Sequence, residues 1–223
     1  MTRALALAVL CAVGAACRST GPVAVATPTD APPAIIQPGA PGQANKVISR
    51  EQATDLSKVQ ATEADIKFMQ GMIGHHAQAL EMTALIPDRT ATREMLLLGQ
   101  RISVSQADEI EMMKTWLRKR GAEIPSEHAH HMAGGMMPGM LTPEQMAELA
   151  AAKGEAFDQL FLKGMIQHHQ GALDMVDELI KTPGAAQEGD INAFAADVDS
   201  DQRMEINRMR ALLGPPKGPG ASH

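Results

Sequence analysis

One segment of this chain occurs twice. Asp65-x-x-Phe68-x-x-Gly71-Met72-Ile73-x-His75-His76-x-x-Ala79-Leu80-x-Met82 returns as Asp158-x-x-Phe161-x-x-Gly164-Met165-Ile166-x-His168-His169-x-x-Ala172-Leu173-x-Met175, every pair offset by 93 residues, as Met72 is from Met165. A second match follows each copy: Gln106, Glu109, Ile110, Met113 and Leu117 are answered by Gln202, Glu205, Ile206, Met209 and Leu213 at an offset of 96. Matched elements in the same order, twice, mark a duplicated supersecondary unit. Within each unit the spacing is helical. Met95, Leu98, Ile102, Gln106, Glu109, Met113, Trp116 and Leu117 fall on one stripe of a 3.6-residue period. Two helical hairpins with such stripes bury them best against each other, so the expected fold is all-α, a four-helix bundle made of two duplicated hairpins.

Breakers and caps set the boundaries. Thr62 can cap the first long helix and Pro87-Asp88 ends it; Thr90 or Thr92 opens the second, which stops at Gly121. Thr142-Pro143-Glu144-Gln145 has the order of a capping box with proline at the first helical position, and Gly154 follows as a break. An extra short helix is therefore expected before the second hairpin. That repeated helix ends near Pro183-Gly184, and the last one runs to about Leu213, ahead of Gly214-Pro215-Pro216. The expected bundle domain is 49–214, with hairpin one at 61–121, a His/Met-rich linker at 122–141 and hairpin two at 142–214. A tail, 215–223, is expected to be disordered.

Ahead of the bundle, residues 1–17 run from Arg3 through an Ala/Leu/Val stretch too short to span a membrane as a mature helix, the pattern of a secretory signal. Cys17 is placed as the acylated cysteine of a lipoprotein would be, although Gly14 stands where such a signal usually has Leu; Ala24-Val25-Ala26 offers an ordinary cleavage site instead. The expected location is outside the cytoplasm, in the periplasm or lipid-anchored at the envelope, with the membrane touched only through that anchor. Either cleavage removes Cys11, so no internal disulfide is expected. Residues 18–48, rich in Pro, Ala, Thr, Gly and Gln, read as a disordered tether. Twenty Lys and Arg against 26 Asp and Glu leave a formal charge of −6, which offers no broad field for phosphates and makes nucleic acid an unsuitable partner.

The chemistry lies in the repeats. On a helical wheel with Met72 at zero, Phe68, His75, His76, Ala79 and Met82 all fall within about 80°, so both histidines flank the core-facing side. The same holds for His168, His169 and Met175 about Met165. Imidazole suits copper, zinc, nickel and iron, while a thioether is a soft ligand that selects Cu(I), and the mixture points to copper, as Cu(I) or Cu(II). Histidines packed as hydrogen-bonded core residues, with methionines filling gaps between helices, are the plain alternative. Gln106, Glu109, Gln202 and Glu205 are polar positions inside apolar stripes and require partners. The facing histidines would make them outer groups that fix the imidazole tautomer; bonds to each other or to arginine at the bundle edge are the alternative. Between the hairpins, His128, His130, His131, Met132, Met136, Met137 and Met140 form a second His/Met tract, able to wrap a metal without a preformed site or to serve as an ordinary mobile linker.

The two M-x-x-H-H segments, the Q-x-x-E-I helices and the M-P-G-M-L-T-P-E-Q stretch together resemble the family known as domain of unknown function 305, from about Thr62 to Leu213. The resemblance implies a ferritin-like four-helix bundle, commonly exported, with copper-binding members of the CopM type implicated in copper resistance. It carries the family's His/Met positions to Met72, His75, His76, Met82, Met165, His168, His169 and Met175. The expected role is a copper-binding protein that sequesters the ion or passes it to an efflux or oxidase partner, without catalysis. No nucleophile with its base, phosphate-cradling loop or dinucleotide fingerprint is present. Two other readings remain. A ferritin-like di-metal oxidase would need Glu three residues before a histidine, where Met72, Ile73, Met165 and Ile166 stand instead. A metal-free bundle binding a protein partner would use the histidines as pH-sensitive packing groups.

Overall fold

A computed structural model describes residues 33–38, 44–55, 59–126 and 136–214. The expected signal, Cys17 with its expected lipidation, His128, His130, His131, Met132 and the expected disordered tail lie outside these residues. The chain divides into two compact units, 1–54 and 55–223.

In the first unit, strands β1 (Ile35–Gln37) and β2 (Lys46–Ile48) pair antiparallel, with Ile35 opposite Ile48, and a short helix α1 (Arg50–Thr54) follows. This part of the stretch expected to be a tether is therefore paired strand. The reason is local: β-branched Ile35, Ile36, Val47 and Ile48 favour extended pairing, which the average composition of the whole stretch conceals.

The second unit is the expected all-α bundle. Its long helices are α2 (Glu63–Ala84), α4 (Arg93–Lys119), α6 (Gly154–Lys181) and α7 (Gly189–Leu213), with short α3 (Ile86–Arg89) and α5 (Pro143–Ala151) between them. Thr62 caps α2 in a full capping box with Asp65, and Thr142 caps α5 in another with Gln145, so both openings form where the sequence placed them. Asp65 also works at longer range, because its other carboxylate oxygen accepts the Ala186 amide at 2.7 Å and ties the α6–α7 connection to the start of α2. Pro87 does not end α2. The helix stops at Ala84, and Pro87 sits in the first turn of α3, where its missing N–H costs nothing.

Helix α2 packs on α4 and α6 on α7, and α2 meets α6 across the middle. The two central helices run antiparallel, because Gly71 faces the methyl of Met175 while Gly164 faces that of Met82, both at 3.5 Å from the glycine's would-be Cβ. Two apolar clusters result. One gathers the start of α2, the end of α4, the end of α6 and the start of α7 around Phe68, Met72, Met113, Trp116, Val176 and Phe194. The other gathers the opposite ends around Met82, Leu98, Ile102, Phe157, Phe161 and Met165. Each large side chain so buried contributes about 1.5–3 kcal/mol. Between the clusters lies a polar waist. No helix among the described residues is long and apolar enough to cross a membrane.

Candidate metal centre

The waist is built from the repeated histidines. His75, His76, His168 and His169 are all buried to within 1% of complete exclusion from solvent. His76 Nε2 donates to Glu109 Oε2 at 2.5 Å, from α2 to α4, and His169 Nε2 donates to Glu205 Oε2 at 2.5 Å, from α6 to α7. His168 Nε2 donates to the backbone carbonyl of His75 at 3.0 Å, joining the hairpins, and the two rings lie 3.9 Å apart. His75 Nε2 donates to the carbonyl of Pro138, also at 3.0 Å. Carbonyl and carboxylate oxygens can only accept, so every neutral ring here carries its proton on Nε2 and its lone pair on Nδ1. That is the atom left for a metal. The Nδ1 atoms of His76, His168 and His169 are buried and meet no hydrogen-bond partner among the described residues.

Charge in the waist follows from burial and neighbours. Burial, together with the charges of His75, His169 and His76, holds His168 well below the ordinary imidazole value of 6.5 and outweighs the stabilising bond to the His75 carbonyl. Burial pushes the Glu109 carboxyl up, but the bond and charge of His76, the Ser105 hydroxyl at 2.9 Å and the charge of His169 together bring it below its usual value. Burial and then the carboxylates of Glu109, Glu205 and Asp197 raise Asp201. The two His–Glu pairs therefore share one electrostatic layer.

Met72, Met82 and Met165 are fully buried on either side of this layer, and Met175 is half-buried. Gln106 and Gln202 are buried too, and Gln106 Oε1 has no partner among the described residues. The carboxylates already occupy Nε2 of His76 and His169, which leaves no ring donor for the amide. Among the described residues, no three His, Cys, Asp or Glu side chains converge on a metal position.

The linker tract departs from its expected mobility where it is described. Met137-Pro138-Gly139-Met140 is a β-turn, with Gly139 at φ +75° and the Met140 amide bonded to the Met137 carbonyl at 3.2 Å. This strap, residues 136–141, is pinned across α2 and α6. Gln78 clamps the backbone of Leu141 with bonds of 2.9 and 2.8 Å, and Gln167 reaches the Gly139 carbonyl at 3.3 Å. Gly171 has no room for a side chain: a Cβ there would stand 1.9 Å from the Pro138 oxygen. Met140 is 3% exposed, while Met136 is 50% exposed. Gln78, Gly171 and Pro138 were not among the expected site residues. Their signal is a failure of the repeat, since Gln78 and Gly171 occupy the same place in the two copies and differ.

The sequence model of the family described as domain of unknown function (DUF305) matches residues 65–213. A DUF305 fragment from Deinococcus radiodurans is 31% identical and superposes with a TM-score of 0.60, covering 69% of this chain and 97% of that one. A DUF305 protein from Streptomyces coelicolor, named as a presumed secreted protein, is 29% identical with a TM-score of 0.59, over 67% of this chain and 90% of that one. CopM in a Cu(I)-bound form is 25% identical with a TM-score of 0.54, over 67% of this chain and 94% of that one, and CopM has also been solved bound to silver. None of the curated proteins matches this chain.

Proposed function

The chain belongs to the DUF305 family, and from that premise we propose that it binds copper outside the cytoplasm, sequestering the ion or passing it to an efflux or oxidase partner. The ligands in this reading are the Nδ1 atoms of His75, His76, His168 and His169 with the thioethers of Met72, Met82, Met165 and Met175. Glu109 and Glu205 hold the imidazole tautomer from outside. One observation carries the reading: the waist holds imidazole lone pairs in a dry, thioether-flanked layer, where burying polar atoms unpaired costs stability unless a ligand takes them up. His168, held neutral, needs to lose no proton to bind. That CopM, a structural neighbour, has been solved with Cu(I) and with silver supports the choice of metal. Export rests on the signal-like residues 1–17, and on the secretion named for the Streptomyces coelicolor relative.

The test is the stoichiometry and affinity of Cu(I) and Cu(II) for the mature protein. It is set beside a variant with the four histidines changed to Ala, a second with Met72 and Met165 changed to Leu, and a third with residues 127–135 replaced by Gly and Ser. Loss of tight copper in either of the first two, with helicity retained, supports the waist as the site. Loss in the third alone moves the site to His128, His130, His131 and Met132. No uptake by the intact protein ends the copper reading.

One observation favours a second reading. His76 bonds Glu109 and His169 bonds Glu205, each at 2.5 Å, so the waist holds two buried carboxylates beside its imidazoles, as a ferritin-like di-metal oxidase would. That reading requires two iron ions per chain and oxygen consumption on Fe(II) addition, neither of which the copper reading produces.

A further inference from the structure

The two-fold likeness of α2 and α6 breaks at the strap. In the space that a Cβ on Gly71 would occupy, Met137 Sδ lies at 3.3 Å and Met175 Cε at 3.5 Å. At the matching position, Gly164, the neighbours are Leu141 Cδ2 at 3.1 Å and Met82 Cε at 3.5 Å. One end of the α2–α6 groove is thus closed by a hydrocarbon and a thioether, the other by two thioethers. The Gly71 end opens to solvent. A cavity of about 360 Å³ is lined there by Lys67, Phe68, Met137, Pro138, Met175 and Glu178, among others. Lys67 is engaged by Glu63 at 2.7 Å, which offsets its charge, and Glu178 adds a carboxylate to the wall. Pro138, in the same wall, is the residue whose carbonyl holds His75 Nε2.

We infer that Met137 and Met175, brought together over Gly71, form a second site for a soft monovalent cation, Cu(I) or Ag(I), at the mouth of the histidine layer. The inference rests on the copper reading of the bundle and goes beyond it, by naming where the ion first lands. Two thioethers suit a d¹⁰ cation and discriminate against hard cations and against Cu(II). Packing alone does not call for methionine at this place, since Leu141 fills the matching position. A Cβ at Gly71 would stand 3.3 Å from the Met137 sulfur and press it outward by a few tenths of an ångström. The site adjoins the histidine layer through Pro138, which lines the cavity and whose carbonyl accepts from His75 Nε2.

The experiment is a titration of the full mature chain, carrying [methyl-¹³C]methionine, with Ag(I), which is d¹⁰ and does not change oxidation state. Methyl and imidazole resonances are followed together, with M137L and M204L prepared alongside. Met204 is an exposed methionine of α7 remote in sequence from the strap. The expected result is that the Met137 and Met175 methyls move together within the first equivalent. M137L, which keeps the bulk, should abolish the shift at Met175 and lower the silver stoichiometry by one ion, and M204L should do neither. If the imidazole and Met175 signals respond but the Met137 methyl does not, the inference falls and the copper reading, with Met175 among the waist ligands, stands. If M137L leaves the Met175 shift and the stoichiometry intact, the inference also falls. If no methionine or histidine signal responds to silver, both fall.

Discussion

Replacing Gly171 by Ala tests how the strap is seated. In an isolated helix this change is favourable by about 1 kcal/mol, because glycine in a helix interior carries an entropic penalty that alanine does not. In this protein the new Cβ would stand 1.9 Å from the Pro138 oxygen, 2.3 Å from its carbonyl carbon and 2.6 Å from the Gly139 Cα. All three are backbone atoms, so no side chain can rotate away, and the strap must retreat by more than about 1 Å to regain van der Waals separation. Retreat breaks the His75 bond to Pro138 and the Gln167 bond to Gly139. It also pulls on both Gln78 bonds to Leu141 and loosens the cover over Met140 and Leu141. At about 0.5–1.5 kcal/mol per hydrogen bond, plus partial re-exposure of two apolar side chains, the loss outweighs the helical gain. A net destabilisation of about 2–4 kcal/mol follows. Urea denaturation with an unchanged m-value reads it, and limited proteolysis should find the chain near residues 127–141 cut faster. Gly164→Ala is the control: its closest neighbour is a Leu141 methyl at 3.1 Å, which can shift, so stability should change by less than about 1 kcal/mol. A Gly171→Ala protein as stable as the parent, or more so, would refute the strap's placement against α6.

Four further outcomes are expected. Glu109→Ala, which strips the partner from a buried imidazole, should cost about 3 kcal/mol in urea melts, while adding His76→Ala to it should cost less than the two single changes together. Gln78→Ala leaves the Leu141 amide and carbonyl without their clamp and should cost about 2 kcal/mol by the same measurement. Acid should destabilise the apo protein from two sides. His168 resists protonation when folded, so the unfolded chain takes up more protons below 6.5, and stability falls there by up to about 1.4 kcal/mol per pH unit. Glu109, held low in the fold, contributes stability that is present above the ordinary carboxyl range and is lost as pH falls through it. Thermal melts from pH 7.5 to 4 that show a flat or rising midpoint on acidification would contradict both assignments. Finally, Ag(I) at a hundred times its dissociation constant should stabilise the fold by about 2.7 kcal/mol, and the quadruple histidine variant should lose most of that gain.

What could be read from the chain beforehand depended on repetition and local chemistry. The 93-residue offset carried the bundle, its two hairpins and the inward turn of all four histidines, because a helical stripe has one core-facing side whatever surrounds it. Caps were equally legible, since the cap at Thr62 and the box of Thr142 with Gln145 depend only on neighbours three residues away. The strand pairing of Ile35 with Ile48 was not, because it needs a partner beyond the local window. Nor was the strap. A repeat predicts that two copies have equivalent surroundings, and one connection between two copies has no counterpart of its own, so whatever it touches must become unequal. The inequality is written in the sequence as mismatches within the motif. Position 78 is a glutamine because it must grip Leu141, and position 171 is a glycine because Pro138 lies on it. The same connection gives His75 a backbone carbonyl from the strap where His168 takes one from the facing helix, and gives Gly71 a sulfur where Gly164 has a leucine. In a duplicated bundle whose histidines and motif methionines match between the copies, the residues that differ are what set the two ends of the layer apart.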